Sequence, residues 1–164
     1  MPKEIQVAII AAAAALSGVL VSAGISMLLS SIDRKHKKQI LLREKYEAMM
    51  THFSASLVWI QSLNGSTSQK EVFALAQSVD ARKSLSVALL YFPEFVTFAN
   101  EYILAQQDYY SSVVTSYKPD IPFTAGAQAL VHNPKHKEVT ELLFAKKNAF
   151  ENQMVASAAK YTKA

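Results

Sequence analysis

The sequence predicts an all-α protein in which a single N-terminal transmembrane helix precedes a small helical bundle of about four helices. One uncharged apolar stretch lies near the N-terminus, and apolar residues recur three and four positions apart along most of the remaining chain. No segment alternates apolar and polar residues between hairpin turns, as a half-buried strand would. The 164 residues provide for an anchor and one modest core.

The predicted anchor lies within residues 1–32, because no charged residue occurs in the apolar stretch at about 5–32. At about 1.5 Å per residue this helix is roughly 42 Å long, whereas a hydrocarbon core is about 30 Å thick. We therefore expect a tilted transmembrane helix. A cleaved signal peptide is the alternative, since Val21–Ala23 resembles a cleavage site. The apolar stretch continues past that site, and Lys3 is the only base before it.

Charge is concentrated in residues 33–45, the predicted juxtamembrane segment. This segment carries a net charge of +4, and residues 1–32 and 46–164 are each neutral. Because basic flanks are retained on the cytoplasmic side, we expect the N-terminus outside and a cytoplasmic bundle domain at 46–164, in an inner or plasma membrane. The basic residues of this flank are Arg34, Lys35, Lys37, Lys38, Arg43 and Lys45.

The basic flank also predicts an attraction to anionic lipid headgroups, at about 1 kcal/mol per nearby Lys or Arg. Nucleic acid is not expected as a partner. A nucleic-acid surface requires bases spread over one face of a domain, and here the domain itself is neutral.

The first two helices of the soluble part are predicted from spacing and turn residues. Residues 33–63 contain no glycine or proline, so we expect the anchor helix to continue into the domain. A turn at 64–67 follows, and a capping box of Ser68 and Glu71 begins a second helix at about 68–91. The residues assigned to the two apolar faces are Leu42, Tyr46, Met49, Phe53, Leu57, Ile60 and Leu63, then Val72, Leu75, Ala76, Val79, Leu85 and Leu89.

Two more helices are predicted toward the C-terminus. The third begins at Pro93 and ends near Lys118, and the fourth covers about 134–162. Three prolines and a glycine in 118–134 predict a loop, with at most a short helix at about 125–131. The apolar faces are Phe95, Phe98, Tyr102, Tyr109, Val113 and Tyr117, then Val139, Leu143, Phe150, Met154 and Tyr161. Short loops favour antiparallel neighbours in a bundle.

Catalytic, cofactor and metal sites are not expected. The chain has no cysteine, and its four glycines form no phosphate-binding loop. His132 and His136 have the spacing of two metal ligands on a helix, but the predicted start of the last helix falls between them, so we interpret both as solvated. The third helix carries acids seven residues apart, interpreted as a solvated face: Glu94, Glu101 and Asp108.

Two features predict association instead. Small residues recur every fourth position in the anchor and form a nearly continuous strip across which helices can approach closely: Ala14, Gly18, Ser22, Ser26 and Ser30. The soluble part is rich in aromatic residues, most of which are assigned to the core. Those that fit the apolar faces less well are interpreted as a candidate partner surface: Tyr91, Tyr110 and Phe123.

These patterns predict a non-enzymatic, single-pass interaction or regulatory protein. We expect it to recruit or modulate a partner protein at the membrane, after self-association as a homo-oligomer. The identity of that partner is not encoded in any motif. The alternative is a small membrane-active protein, such as a lysis, pore-forming or exclusion factor, that acts through oligomerisation of its anchor.

Overall fold

The computed structural model describes residues 2–66, 68–76, 78–116 and 134–162, and every element in these ranges is helical. The all-α prediction is confirmed for this part of the chain. The elements are α1 (Lys3–Gly65), α2 (Gln69–Ala74), α3 (Val79–Tyr91), a 3₁₀ helix (Pro93–Phe95), α4 (Val96–Ser116) and α5 (Pro134–Thr162). The predicted loop at 118–134 and its short helix lie outside the described residues.

Helix α1 is continuous from Lys3 to Gly65, as the lack of helix breakers in 33–63 predicts. The chain divides into two compact units, residues 1–41 and 42–163, and α1 contributes to both. Near its N-terminus, α1 is long and apolar enough to cross a membrane. An 18-residue window there has a mean hydropathy of 1.8, and none of its residues is buried. A signal sequence meets the same criteria of length and composition.

Four helices alternate in direction within the unit formed by residues 42–163. The C-terminal part of α1 is antiparallel to α3 and parallel to α4, and α5 returns antiparallel to α4. The contacts that fix these directions are Lys45–Tyr91 and Met49–Ser84 between α1 and α3, Phe53–Tyr102 and Asn64–Tyr109 between α1 and α4, and Glu101–Lys146 and Ser112–His136 between α4 and α5. The unit is therefore an up-down-up-down bundle, to which the short α2 is added.

Aromatic rings form three layers along this bundle. The first contains Tyr46, Phe92, Phe95 and Tyr161, the second Phe53, Tyr102 and Phe150, and the third Tyr109 beside His136. The Tyr46 and Tyr161 rings stack with centres 5.2 Å apart. Such ring pairs contribute about 0.5–1.5 kcal/mol each beyond their buried area. Most rings assigned to the core from the sequence are therefore core residues.

The buried tyrosine hydroxyls have hydrogen-bond partners. The Tyr46 hydroxyl donates to the Met154 carbonyl, and the Tyr109 hydroxyl donates to Asn64 Oδ1 at 2.5 Å. Burial raises the pKa of both phenols, so they remain protonated and able to donate. These bonds connect α1 to α5 and α4 at the two ends of the core.

The prediction of one helix at about 68–91 is wrong, because this segment forms two helices. Ser68 does cap the first, since its Oγ accepts from the Glu71 N–H at 3.3 Å, but α2 ends at Ala74. The break resets the helical phase. Val79 and Leu89, assigned to the core from the sequence, are therefore 58% and 60% exposed. The buried residues of α3 are small: Ala81, Ser84 and Ala88.

Trp59 stabilises the break between α2 and α3. Its indole Nε1 donates to the carbonyl of Leu75 at 2.7 Å, just beyond the end of α2. A carbonyl at a helix end needs a partner from outside the helix, and this contact provides one. Residues 75–78 contain no glycine or proline, and Ser78, a residue type common at helix N-caps, is the local mark of the new helix start.

Candidate functional site

The basic flank lies on α1 and is only partly neutralised by neighbouring acids. Lys37 pairs with Asp33 at 2.7 Å, and Arg43 pairs with Glu47 at 2.9 Å. Lys45 is half-buried, with Nζ 5.7 Å from the centre of the Tyr91 ring. The three remaining bases, Arg34, Lys35 and Lys38, are exposed and form no ion pair with another described residue. Their charge is available to an anionic surface.

The small-residue strip of the anchor is exposed on α1. Gly18, Ser22, Ser26 and Ser30 have exposed side chains or backbone, and the side chain of Ala14 lies outside the described residues. On a helix of 3.6 residues per turn, each four-residue step advances about 40° around the axis, so two or three successive members can face one partner helix. A Cβ added at Gly18 would meet nothing within 4 Å. A larger residue there is therefore tolerated by the chain itself.

The two candidate partner residues that the structure describes, Tyr91 and Tyr110, are not brought together. Tyr91 is half-buried at the C-terminal end of α3, where its ring centre lies 6.2 Å from that of Phe92. Tyr110 is half-buried on α4 beside Tyr109, at the opposite end of the bundle, and it packs against the core. Phe123 lies outside the described residues. Tyr91 and Tyr110 therefore belong mainly to the edges of the core.

The acidic row of α4 and its preceding turn is only partly solvated, contrary to our interpretation. Glu94 accepts a hydrogen bond from Lys160 at 2.7 Å, and Glu101 accepts one from Lys146 at 2.9 Å. Asp108 is exposed. Two of the three acids therefore contact α5. Such pairs align neighbouring helices, although each exposed pair contributes only about 0–1 kcal/mol.

Glu94 has a lowered pKa. Its carboxylate accepts hydrogen bonds from Lys160 and from the Tyr161 hydroxyl. Partial burial acts to raise the pKa of Glu94, but these hydrogen bonds, a backbone hydrogen bond and the positive charge of Lys160 together lower this pKa to about 2. The hydrogen bond to Glu94 correspondingly raises the pKa of Lys160. The site is a charged clamp between the start of α4 and the end of α5.

A serine and a histidine meet at the other end of the α4–α5 pair, which the sequence analysis did not predict. The Ser112 Oγ and His136 Nδ1 atoms are 2.7 Å apart, and the His136 ring lies 5.2 Å from that of Tyr109. Burial lowers the pKa of His136, which favours the neutral imidazole that accepts from a hydroxyl. His136 is therefore half-buried and hydrogen-bonded, and only partly solvated as predicted, and His132 lies outside the described residues.

A Ser–His pair is the beginning of a nucleophilic site, but its surroundings here are those of a structural contact. Ser112 is 5% exposed and lies within α4, where backbone N–H groups are engaged in the helix. Acyl transfer also needs donors for an oxyanion and a group that orients the histidine. The second ring nitrogen of His136 lies 3.4 Å from Thr140 Oγ1, and no carboxylate is bonded to it among the described residues.

Metal coordination has no candidate in the described ranges, where no three His, Cys, Asp or Glu side chains converge.

The chain matches no family model, no curated protein and no solved structure.

Proposed function

We propose that this chain is a single-pass membrane protein whose cytoplasmic helical bundle recruits or regulates a partner protein. The observation that carries the proposal is the exposed apolar surface of α1. Leu20, Met27 and Leu28 are 72%, 75% and 67% exposed, and they lie in a stretch without charge. An apolar surface of this extent is unfavourable in water and requires lipid or protein around it.

The basic flank supports an orientation with the bundle in the cytoplasm. The unpaired charges of Arg34, Lys35 and Lys38 follow directly after the apolar stretch, where they resist transfer across the membrane. The same residues suit the anionic headgroups of a cytoplasmic leaflet.

The bundle surface supports the recruitment of a protein. Several large apolar residues of the unit formed by residues 42–163 remain exposed, and apolar and aromatic side chains dominate the binding energy of protein interfaces. They are Val58, Phe73, Val79, Leu89, Leu90, Leu104, Leu142, Phe144 and Val155. Scattered exposed apolar residues also occur on ordinary surfaces, so the experiment must connect binding to particular positions.

The test is crosslinking of the tagged full chain in its native membrane, followed by purification in mild detergent. We expect a second protein to be recovered with the chain. At least one of the variants Phe73→Ser, Leu90→Ser and Phe144→Ser should reduce that recovery without loss of helicity. Gln107→Ser, at an exposed polar position, is the control. Recovery of the chain alone in several detergents would count against a stable partner.

Dye release from liposomes separates this function from direct action on the membrane. A recruiting protein should insert into liposomes without releasing a trapped dye. Release at a modest ratio of protein to lipid, abolished by Gly18→Leu, would instead support a lysis, pore-forming or exclusion factor.

A further inference from the structure

A small, partly open cavity lies beside the linker between α2 and α3, with the exposed residues Ala76, Arg82 and Gln107 at its rim. Its volume is about 20 Å³, and its lining includes the apolar side chains of Trp59 and Ile103 and the polar side chains of Ser78 and Gln106. A cavity needs roughly 10–15 Å³ to hold a water molecule. The space is therefore sufficient for one water and too small for an organic ligand.

Ser78 has an unusual arrangement for a residue at the start of a helix. It occupies the N-cap position of α3, where a serine Oγ ordinarily accepts from a backbone N–H of the first turn. Its side chain makes no such bond, and only its backbone carbonyl accepts, from the Arg82 N–H at 3.3 Å. Ser78 is 8% exposed, and its Oγ has no hydrogen-bond partner among the described residues.

Gln106 on α4 presents a second buried polar group to the same cavity. The residue is 2% exposed, and neither Oε1 nor Nε2 is hydrogen-bonded within the described ranges. Burial raises the pKa of the nearby Tyr102, and the Gln106 amide opposes that effect, yet no hydrogen bond of ordinary length and angle joins them. The Tyr102 hydroxyl instead lies 3.1 Å from Ser56 Oγ.

We propose that the cavity binds one ordered water molecule that bridges Ser78 Oγ and the Gln106 side-chain amide. Buried polar groups without protein partners are costly, and an internal water typically satisfies two to four of them. This water accepts from the amide N–H₂ or donates to the amide oxygen, and a second hydrogen bond joins it to the serine hydroxyl. The inference does not depend on the proposed function.

The proposed water has a structural role. Ser78 belongs to the linker that interrupts the helical segment 69–91, and Gln106 lies in the middle of α4. A water shared by the two connects the linker to α4, on the same side of the bundle where Trp59 binds the Leu75 carbonyl. The position of the break is then fixed by two polar contacts that are distant in sequence.

A crystal structure of the full chain, at a resolution that shows ordered waters, tests this proposal. We expect a single spherical density peak within hydrogen-bond distance of both Ser78 Oγ and the Gln106 amide. Ser78→Val replaces the hydroxyl with apolar bulk and should remove the peak. Ser86→Val, at an exposed serine of the same helix, should leave it in place.

Two results would overturn the proposal. One is a wild-type structure without density between these groups. The other is a structure in which the Gln106 amide bonds directly to a protein atom. Because the wild-type structure alone decides between these results, a failure of Ser78→Val to fold does not affect the test.

Discussion

At the scale of single residues, one contact between distant parts of the chain combines charge and aromatic packing. The Tyr161 ring stacks on Tyr46 in the first aromatic layer, and its hydroxyl donates to Glu94. Lys160 donates to the same carboxylate and lies 4.8 Å above the Tyr161 ring. The ionised form of Glu94 therefore holds the end of α5 against the start of α4.

Glu94→Gln should make the bundle less sensitive to acid. The pKa of Glu94 in the folded chain is about 2, below its ordinary value of 4.5. Its ionisation therefore stabilises the fold fully above pH 4.5, and this stabilisation is lost as the pH falls toward 2. The measurement is the midpoint of unfolding of the full chain in detergent across this range. Lys160→Met should give a smaller change in the same direction, because the Tyr161 hydroxyl still donates to Glu94. Identical acid sensitivity in Glu94→Gln and wild type would contradict the role of Glu94.

Phe150→Ala should destabilise the bundle by roughly 3 to 5 kcal/mol, the usual cost of removing a buried ring. Phe150 is 1% exposed and contacts Phe53 edge to face, with ring centres 5.1 Å apart. The sequence predicts the same cost for Phe98, but Phe98 is only half-buried, so its replacement by alanine should cost less. The measurement is the free energy of unfolding of Phe150→Ala and Phe98→Ala. Equal losses in the two variants would contradict the assignment of Phe150 to the core and of Phe98 to its edge.

At the scale of helices, the ends marked by local chemistry could be predicted from the sequence. The end of α1 at Gly65, the cap at Ser68 and the start of α5 at Pro134 all appear where the residues predict them. The break after α2 was not predicted, because residues 75–78 contain no glycine or proline and the contact with Trp59 that accompanies the break is distant in sequence. Local propensity gives way to tertiary contact at such positions.

The residues of the candidate functional site likewise include some that could be predicted from the sequence and some that could not. The basic flank is visible as composition, so the sequence alone identifies its residues. The Ser112–His136 contact joins residues 24 apart, and the Glu101–Lys146 pair joins residues 45 apart. Neither contact has a local pattern, and both depend on the antiparallel packing of α4 and α5.

Ala88→Leu should destabilise the bundle more than Leu89→Ala. Ala88 is fully buried, and added bulk in a packed core costs about 1–3 kcal/mol. Leu89 is 60% exposed, and substitutions at exposed positions usually remain within about 0.5 kcal/mol. Thermal unfolding of the two variants is the measurement. The opposite order would support the sequence-based prediction that Leu89 lies on the buried face of one helix at about 68–91.

At the scale of the whole molecule, the net charge of +4 lies entirely in residues 33–45. The orientation of the protein should therefore depend on that segment. We expect a reporter enzyme that is active only in the cytoplasm to be active when fused after Ala164, and one that is active only outside the cytoplasm to be inactive there. Replacement of Arg34, Lys35, Lys37 and Lys38 by Gln should weaken the preference for this orientation.

The control for orientation replaces bases far from the anchor. Lys83→Gln and Lys137→Gln also remove exposed positive charge, but they should not alter the reporter signal. A reporter active only on the outer side of the membrane would overturn the proposed topology.

Gly18→Leu should abolish crosslinked dimers or larger oligomers of the full chain in membranes. Helices in lipid associate through close backbone approach at small residues, and leucine prevents that approach. Because nothing lies within 4 Å of a Cβ at this position, the substitution should leave the single chain unchanged. Ala12→Leu, off the strip, is the control. Equal crosslinking of wild type and Gly18→Leu would make the anchor a simple tether.

The contact between Tyr46 and Met154 sets an order of events during synthesis, since these residues are 108 positions apart. At about 5–20 residues per second, the ribosome needs roughly 5 to 20 s to make the chain between them. During this interval the apolar face of α1 has no α5 to cover it. A chain stalled on the ribosome before α5 is made leaves part of this face exposed, and we expect such a chain to be bound by chaperones or degraded more readily than the complete bundle.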